Sequence, residues 1–162
     1  MVVGNEASTN FVRYLKTNSG KKGQGMPVVR NPQFYFREGL CWNEIKTHYI
    51  RCRLKGQTVN SNKSMAFYAV DSGLPIPYIV ILLNSEFIAS YVNNFVNNTQ
   101  TFGIDDARQI FIIMPEKHEL QITEELLNET IAIQKKVKSD FLEYLQKEVD
   151  IFVNKLYINR ER

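Results

Sequence analysis

Four aromatics, an arginine, two glutamates and a glycine crowd into Asn31-Pro-Gln-Phe-Tyr-Phe-Arg-Glu-Gly-Leu-Cys-Trp-Asn-Glu-Ile45, and a cationic segment follows at Ile50-Arg-Cys-Arg-Leu-Lys55. Cations mixed with aromatic and amide side chains at this density suit a surface that grips a polyanion. Two kinds of contact are expected from such a set. Lys21, Lys22, Lys55 and Lys63 are flexible point charges in or beside loops and suit phosphate neutralisation. Arg30, Arg37, Arg51 and Arg53 carry planar forks that match guanine O6 and N7, while Gln57, Asn60 and Asn62 carry amides that pair with adenine. The aromatics Phe34, Phe36 and Trp42 read as core residues ahead of base-stacking ones, and Arg37 has Glu38 and Glu44 within reach as alternative partners.

Other chemistries lack their parts. His48 and His118 are the only histidines, and neither stands at a recognisable spacing from a serine or cysteine nucleophile. Cys41 and Cys52 form no CxxC and no Cys/His cluster, so no metal site is predicted; they read as small core residues of a reduced, cytoplasmic protein. Glu44-Ile-Lys46 matches half of a nuclease metal site, but the first aspartate in the chain is Asp71, too late to complete it. Gly20-Lys-Lys-Gly-Gln-Gly25 lacks the Lys-Ser/Thr that closes a phosphate-binding loop. Asn31-Pro-Gln-Phe34 is similar to the Asn-Pro-Pro-Tyr/Phe box with which N6-adenine methyltransferases hold an extruded base. Its second proline is replaced by glutamine, and no Gly-rich loop after a strand precedes it, so it reads as a turn. No complete active site is predicted.

The elements that must position these residues follow from periodicity. A chain of 162 residues is expected to form one domain with an appended helical segment. Its net charge of +3 conceals an asymmetry: residues 1–63 hold eleven Lys/Arg against three acids, and residues 64–162 hold nine against fourteen. A basic half in an otherwise acidic chain points to an acidic partner. The longest apolar run, Tyr78-Ile-Val-Ile-Leu-Leu83, is too short for a membrane span, so no membrane partner is expected.

Asn5–Lys16 is predicted as a short helix and Thr17–Gly25 as a loop. Phe34–Arg37 reads as a strand. Tyr49–Lys55 alternates, with Ile50, Cys52 and Leu54 on an inner face and Arg51, Arg53 and Lys55 outside. Met65–Val70 is a further strand. A helix is predicted from Tyr78 to Ser85, continuing through Val96, and Asp105–Gln109 gives one helical turn. Ile110–Met114 reads as an apolar strand stopped by Pro115. The tail from Thr123 to Tyr157 has an apolar stripe (Leu127, Ile131, Val137, Phe141, Leu145, Val149, Phe152, Leu156) that fits a strut or coiled-coil arm, or two helices broken near Lys138–Asp140. The class is α+β: a small mixed or antiparallel sheet with packed helices, residues 1–115, followed by a helical arm, residues 116–162.

The order of short blocks carries a resemblance. Phe36-Arg-Glu-Gly-Leu-Cys-Trp42 resembles the Glu-Gly-Ile-Thr-Trp word of bacterial DNA N6-adenine methyltransferases, and more closely the C-terminal specificity region of type IIG restriction-modification enzymes and phage-defence adenine methylases. Tyr49–Arg53 and Met65–Val70 match the strands that follow it. Ile81-Leu-Leu-Asn-Ser85 matches a Leu-Leu-Asn-Ser helix, and Asn97-Asn-Thr-Gln-Thr-Phe102 matches an Asn-Pro-Thr…Phe loop. Asp106–Pro115 matches a strand ending in Ile-Pro, and Glu148–Tyr157 matches the Glu-Ile-Asp…Leu-Tyr ending. Asn10-Phe-Val-Arg-Tyr14 is similar to a word found just after the methylase domain. Leu40-Cys41 stands in place of Ile-Thr, and Asn98 in place of proline.

The resemblance implies a target-recognition domain that reads double-stranded DNA from the major groove while a methyltransferase domain, on the same or another polypeptide, modifies adenine. This chain would be the part without an active site. It would hold no cofactor, S-adenosylmethionine belonging to the methyltransferase domain, and the parent enzyme would be a bacterial restriction-modification or phage-defence system in the cytoplasm. Three alternatives stay open: an RNA-binding domain without DNA specificity, a helical protein-interaction module that self-associates through its tail, and a nuclease fragment.

Overall fold

The computed structural model describes residues 2–3, 10, 32–60, 63–68, 73–134 and 139–158. The helix predicted at Asn5–Lys16 and the loop at Thr17–Gly25 lie outside the described residues, apart from Asn10.

The described strands are β1 (Val2–Val3), β2 (Gly39–Asn43), β3 (Arg53–Lys55), β4 (Thr58–Val59) and β5 (Ser64–Phe67). β2 is the centre of a three-stranded antiparallel sheet in the order β3-β2-β5, and β1 pairs with β4 in a separate two-stranded ladder. Alternation along β2 sends Leu40 and Trp42 into the core. Trp42 donates its indole N–H to the Phe102 carbonyl at 3.0 Å, which satisfies the one polar atom of a buried ring. Gly39 has a specific reason to be glycine. A Cβ there would lie 2.3 Å from the Phe67 carbonyl oxygen and 3.1 Å from Tyr68 Cδ1, so the Tyr68 ring seats directly on the backbone of β2.

Two predicted strands are corrected. Pro32–Phe34 forms a 3₁₀ turn, and Phe36 follows in the left-handed region (φ 58°), so Phe34–Arg37 is a turn. Within Tyr49–Lys55 only Arg53–Lys55 is strand. Arg51 is also left-handed (φ 57°), which keeps the segment before Arg53 out of the strand. Ile50 and Cys52 are buried as expected, but Leu54 is 44% exposed and Lys55 is 5% exposed, the reverse of the alternation.

Five helices are described: α1 (Ile76–Leu83), α2 (Glu86–Tyr91, continued by a π turn, Val92–Val96), α3 (Ile104–Ala107), α4 (Lys117–Gln134) and α5 (Ser139–Tyr157). α1 carries Pro77 in its first turn, where a missing N–H costs nothing, and buries every residue from Tyr78 to Leu83. The continuous helix predicted to Val96 is broken at Asn84–Ser85. Ser85 caps α2 by accepting the Ile88 N–H at 3.3 Å, and Asp150 of α5 accepts the Glu86 N–H at 2.7 Å. The resulting bend is 60°. No single helix among the described residues is long and apolar enough to cross a membrane; the bent pair reaches that length and composition together, and its first member is the core helix.

Ile110–Met114 is extended but joins no sheet. Side-chain hydroxyls take the place of a neighbouring strand: Tyr78 donates to the Ile113 carbonyl at 2.7 Å and Tyr157 to the Phe111 carbonyl at 3.0 Å. The tail is two helices, α4 ending at Gln134 and α5 starting at Ser139. They pack on each other, and α4 lies along α1. Leu127, Val149, Val153 and Leu156 join the same core as Trp42 and Tyr78, with Ile131 and Phe152 partly buried against it; Val137 and the Phe141 side chain lie outside the described residues. Full burial of such a side chain contributes about 1.5–3 kcal/mol.

Candidate nucleic-acid interface

The face of the sheet opposite the core holds the cations. Arg53 stands opposite Cys41, Lys55 opposite Gly39, and Asn43 opposite Ser64, all on the side away from Leu40 and Trp42. At the Gly39 end this face is roofed by an aromatic stack: Phe34 and Tyr68 lie 5.2 Å apart with an interplanar angle of 12°. The Arg37 guanidinium sits 5.7 Å and 5.9 Å from those two ring centroids, exposed on its other side. At the Asn43 end the face is open. There Arg53 donates to Asn43 Oδ1 at 3.1 Å, which steers one edge of its fork and leaves the rest free.

The predicted site residues divide accordingly. Arg37, Arg51 and Arg53 are exposed and pair with no carboxylate among the described residues. Lys63 is exposed but its ammonium lies 2.5 Å from Glu44, so Glu44 is taken by Lys63 and not by Arg37. Gln57 is exposed between β3 and β4, and Asn60 is partly buried. Lys21, Lys22, Arg30 and Asn62 lie outside the described residues.

Lys55 is a correction. It is buried beneath the roof, donating to the Arg37 carbonyl at 2.6 Å and the Gly56 carbonyl at 3.2 Å, with Tyr68 5.3 Å away. Burial pushes its ammonium below the ordinary value. A lysine spent on two carbonyls and a ring is a structural clasp, not a phosphate clamp.

Arg51 owes its direction to a contact that sequence reasoning missed. Asn84, at the end of α1, accepts the Cys52 N–H at 2.9 Å and donates to the Cys52 carbonyl at 2.8 Å. One side-chain amide thus does for Cys52 what a strand neighbour does elsewhere, and it pins the left-handed turn at Arg51. Beyond this turn lies an open cleft of about 790 Å³, bounded on one side by Arg51–Leu54 and on the other by α4 and α5.

Four further titratable or hydroxyl groups meet at Glu86, which gathers His48, Tyr49 and Ser90 around its carboxylate. His48 Nε2 lies 2.8 Å from both Glu86 oxygens, and Ser90 donates to Glu86 Oε1 at 2.9 Å. Ser90 therefore serves the carboxylate, not the imidazole, and no hydroxyl nucleophile forms. Burial raises the Glu86 carboxyl, but hydrogen bonds from His48, Tyr49 and Ser90 outweigh it and hold the group below its ordinary value. The hydrogen bond to Glu86, with burial second, pushes the Tyr49 phenol up to about 12. Burial likewise pushes the Cys52 thiol up to about 12. Lys46, weighed in the sequence only as half a nuclease site, is buried and donates to Asn93 Oδ1. Among the described residues no three His, Cys, Asp or Glu side chains gather where a metal could be held.

No protein-family model matches the chain, and no curated protein matches it.

Proposed function

We propose that this chain reads the sequence of double-stranded DNA for a bacterial restriction-modification or phage-defence adenine methyltransferase, and that the transfer itself, with its S-adenosylmethionine, belongs to a partner domain. The observation that carries the reading is the pair Arg37 and Arg53 on one sheet face. Both guanidinium groups are exposed, neither has a carboxylate partner among the described residues, and each is oriented by a neutral neighbour, the Phe34–Tyr68 stack or Asn43. An oriented and uncompensated fork is the group that reads guanine, at about 1–3 kcal/mol of discrimination for each bidentate contact. Lys63 beside this face suits a phosphate, exchanging Glu44 for the backbone charge.

Leu127, Val149 and Leu156 of the predicted tail stripe are buried in the core, which leaves self-association through that stripe with less to offer. On the face that carries Arg37 and Arg53 the Phe34–Tyr68 pair is stacked on itself with Arg37 against it, so this face offers cations rather than these two rings.

The test is binding of the full 162-residue chain to a randomised duplex pool, followed by sequencing of the retained fraction. A defined motif should emerge, and Arg53→Lys should blur it while retaining affinity, since lysine keeps the charge and loses the fork. Retention of single-stranded RNA in preference to duplex, or a pool with no enriched motif, would sink the reading.

A further inference from the structure

The cleft beyond Arg51 has an apolar wall that the DNA reading does not use. Its cationic lip is Arg51 and Arg53, both exposed. Its opposite wall is mainly apolar, with Ile131 of α4 and Leu142 and Leu145 of α5 beside the uncharged polar Thr130, Gln134 and Gln146. Among the described residues no carboxylate lines it. The lip is the edge strand β3, which pairs only with β2 in the described sheet. Leu54 of that strand is 44% exposed toward this space, an apolar side chain on an unpaired edge. The lip is also rigid, because Asn84 holds both backbone groups of Cys52.

From this combination we infer that the cleft is a docking groove for an extended, acidic and apolar segment of a partner protein, laid along β3 with its carboxylates on Arg51 and Arg53 and its apolar residues against α4 and α5. Three features select that occupant. An open sheet edge asks for an extended backbone. The open edge is the three residues Arg53–Lys55, about 10 Å at roughly 3.3 Å each, enough for about three residues of partner chain, with Arg51 just beyond its end. Alternating side chains of an added strand place acids on one side and apolar groups on the other, as the two walls require. Arg51 and Arg53 then serve both peptide and duplex, so the two compete. The inference itself stands on the cleft alone and does not need DNA to be the other ligand.

The test uses fluorescein-labelled hexapeptides, Glu-Leu-Glu-Leu-Glu-Leu and Lys-Leu-Lys-Leu-Lys-Leu, titrated with the full chain and followed by anisotropy. The acidic peptide should bind and the basic one should not. Ile131→Glu, which puts a carboxylate into a wall that has none among the described residues, should weaken the acidic peptide about tenfold. Gln134→Glu, at an exposed lining position, should weaken it in the same direction without touching the core. Circular dichroism of both variants checks the fold, and Gln134→Glu decides the matter if Ile131→Glu unfolds. Equal binding of both peptides, no binding of either, or an unchanged affinity in Gln134→Glu overturns the groove. Duplex DNA binding is measured on the same variants. Its loss in the wild-type chain would sink the DNA reading and leave the groove, and its persistence without peptide binding would do the opposite.

Discussion

Asn84 and Cys52, thirty-two residues apart, are joined by two hydrogen bonds in which one side-chain amide meets both backbone groups of its partner, at 2.9 Å and 2.8 Å. This contact ties the end of α1 to the segment that aims Arg51 and Arg53. Replacing Asn84 by leucine, similar in size, leaves the Cys52 N–H and carbonyl without their partner in a largely buried place. Each such group costs about 1–3 kcal/mol. Asn84→Leu should therefore lower the urea midpoint by several times the effect of an ordinary surface change. Asn84→Asp keeps the acceptor and loses the donor, and should fall between it and the wild type. Equal stability of all three would show that the clamp carries no energy.

Gly39 and Tyr68 make a second such dependence. Gly39→Ala puts a methyl 2.3 Å from the Phe67 carbonyl and 3.1 Å from the Tyr68 ring, so β5 must move away from β2. Overpacking of this kind costs about 1–3 kcal/mol. Because Arg37 rests on Tyr68, the same change should also reduce duplex affinity, and Tyr68→Leu should reproduce that loss with a smaller cost in stability. Thermal melts and anisotropy on the two variants separate the contributions.

Lys55 and Arg53 are adjacent and should behave in opposite ways. Arg53→Ala removes an exposed charge that can meet a phosphate or base. It should change stability by less than about 0.5 kcal/mol, as surface substitutions do. If its contact is to phosphate, the slope of log affinity against log salt falls by about 0.9. Lys55→Ala removes a buried clasp on two carbonyls, so it should destabilise the chain by about 1–3 kcal/mol and leave the salt slope of the folded fraction unchanged. Identical slopes in the two variants would remove the distinction drawn between them.

What the sequence made legible, and what it hid, follows the range of the interactions. Helical spacing of apolar residues found α1, α4 and α5, because a buried stripe is written locally, one turn after another. Trp42 was placed in the core by type alone. In the row Arg51, Arg53, Lys55 the first two are exposed as alternation predicts and Arg53 and Lys55 share the outer face, but Lys55 is buried because the Tyr68 ring and the Arg37 carbonyl cover it there, which alternation does not encode. The left-handed turn at Arg51 is held by Asn84, distant in sequence, where no local pattern points to it. Ile110–Met114 has the composition of a strand but meets hydroxyls from Tyr78 and Tyr157 in place of a neighbouring backbone. The exposed cations at Arg37, Arg53 and Lys63 were legible as charge. Their settings, the Phe34–Tyr68 roof, Asn43 and Glu44, were set by register across strands and were not.

Alkaline pH should dismantle this region in a predictable order of sign. The Cys52 thiol is raised from its ordinary 9.0 to about 12, chiefly by burial, and the Tyr49 phenol from 10.0 to about 12, chiefly by its hydrogen bond to Glu86. A raised pKa means that the folded state favours the protonated form. Each group's contribution is complete below its unfolded pKa and is lost as pH rises toward the folded value. Stability should therefore decline between about pH 9 and 12, and the decline should be shallower in Cys52→Ala and in Tyr49→Phe than in the wild type. Cys52→Ala also loses a sulfur from the core, so its midpoint at pH 7 is the reference for its own curve. The same burial predicts that Cys52 resists iodoacetamide in the folded chain at pH 8 and reacts once urea unfolds it, since the thiolate is the reactive form. Rapid labelling of Cys52 in the native protein, read by mass spectrometry of the modified peptide, would contradict both the burial and the pH curve derived from it.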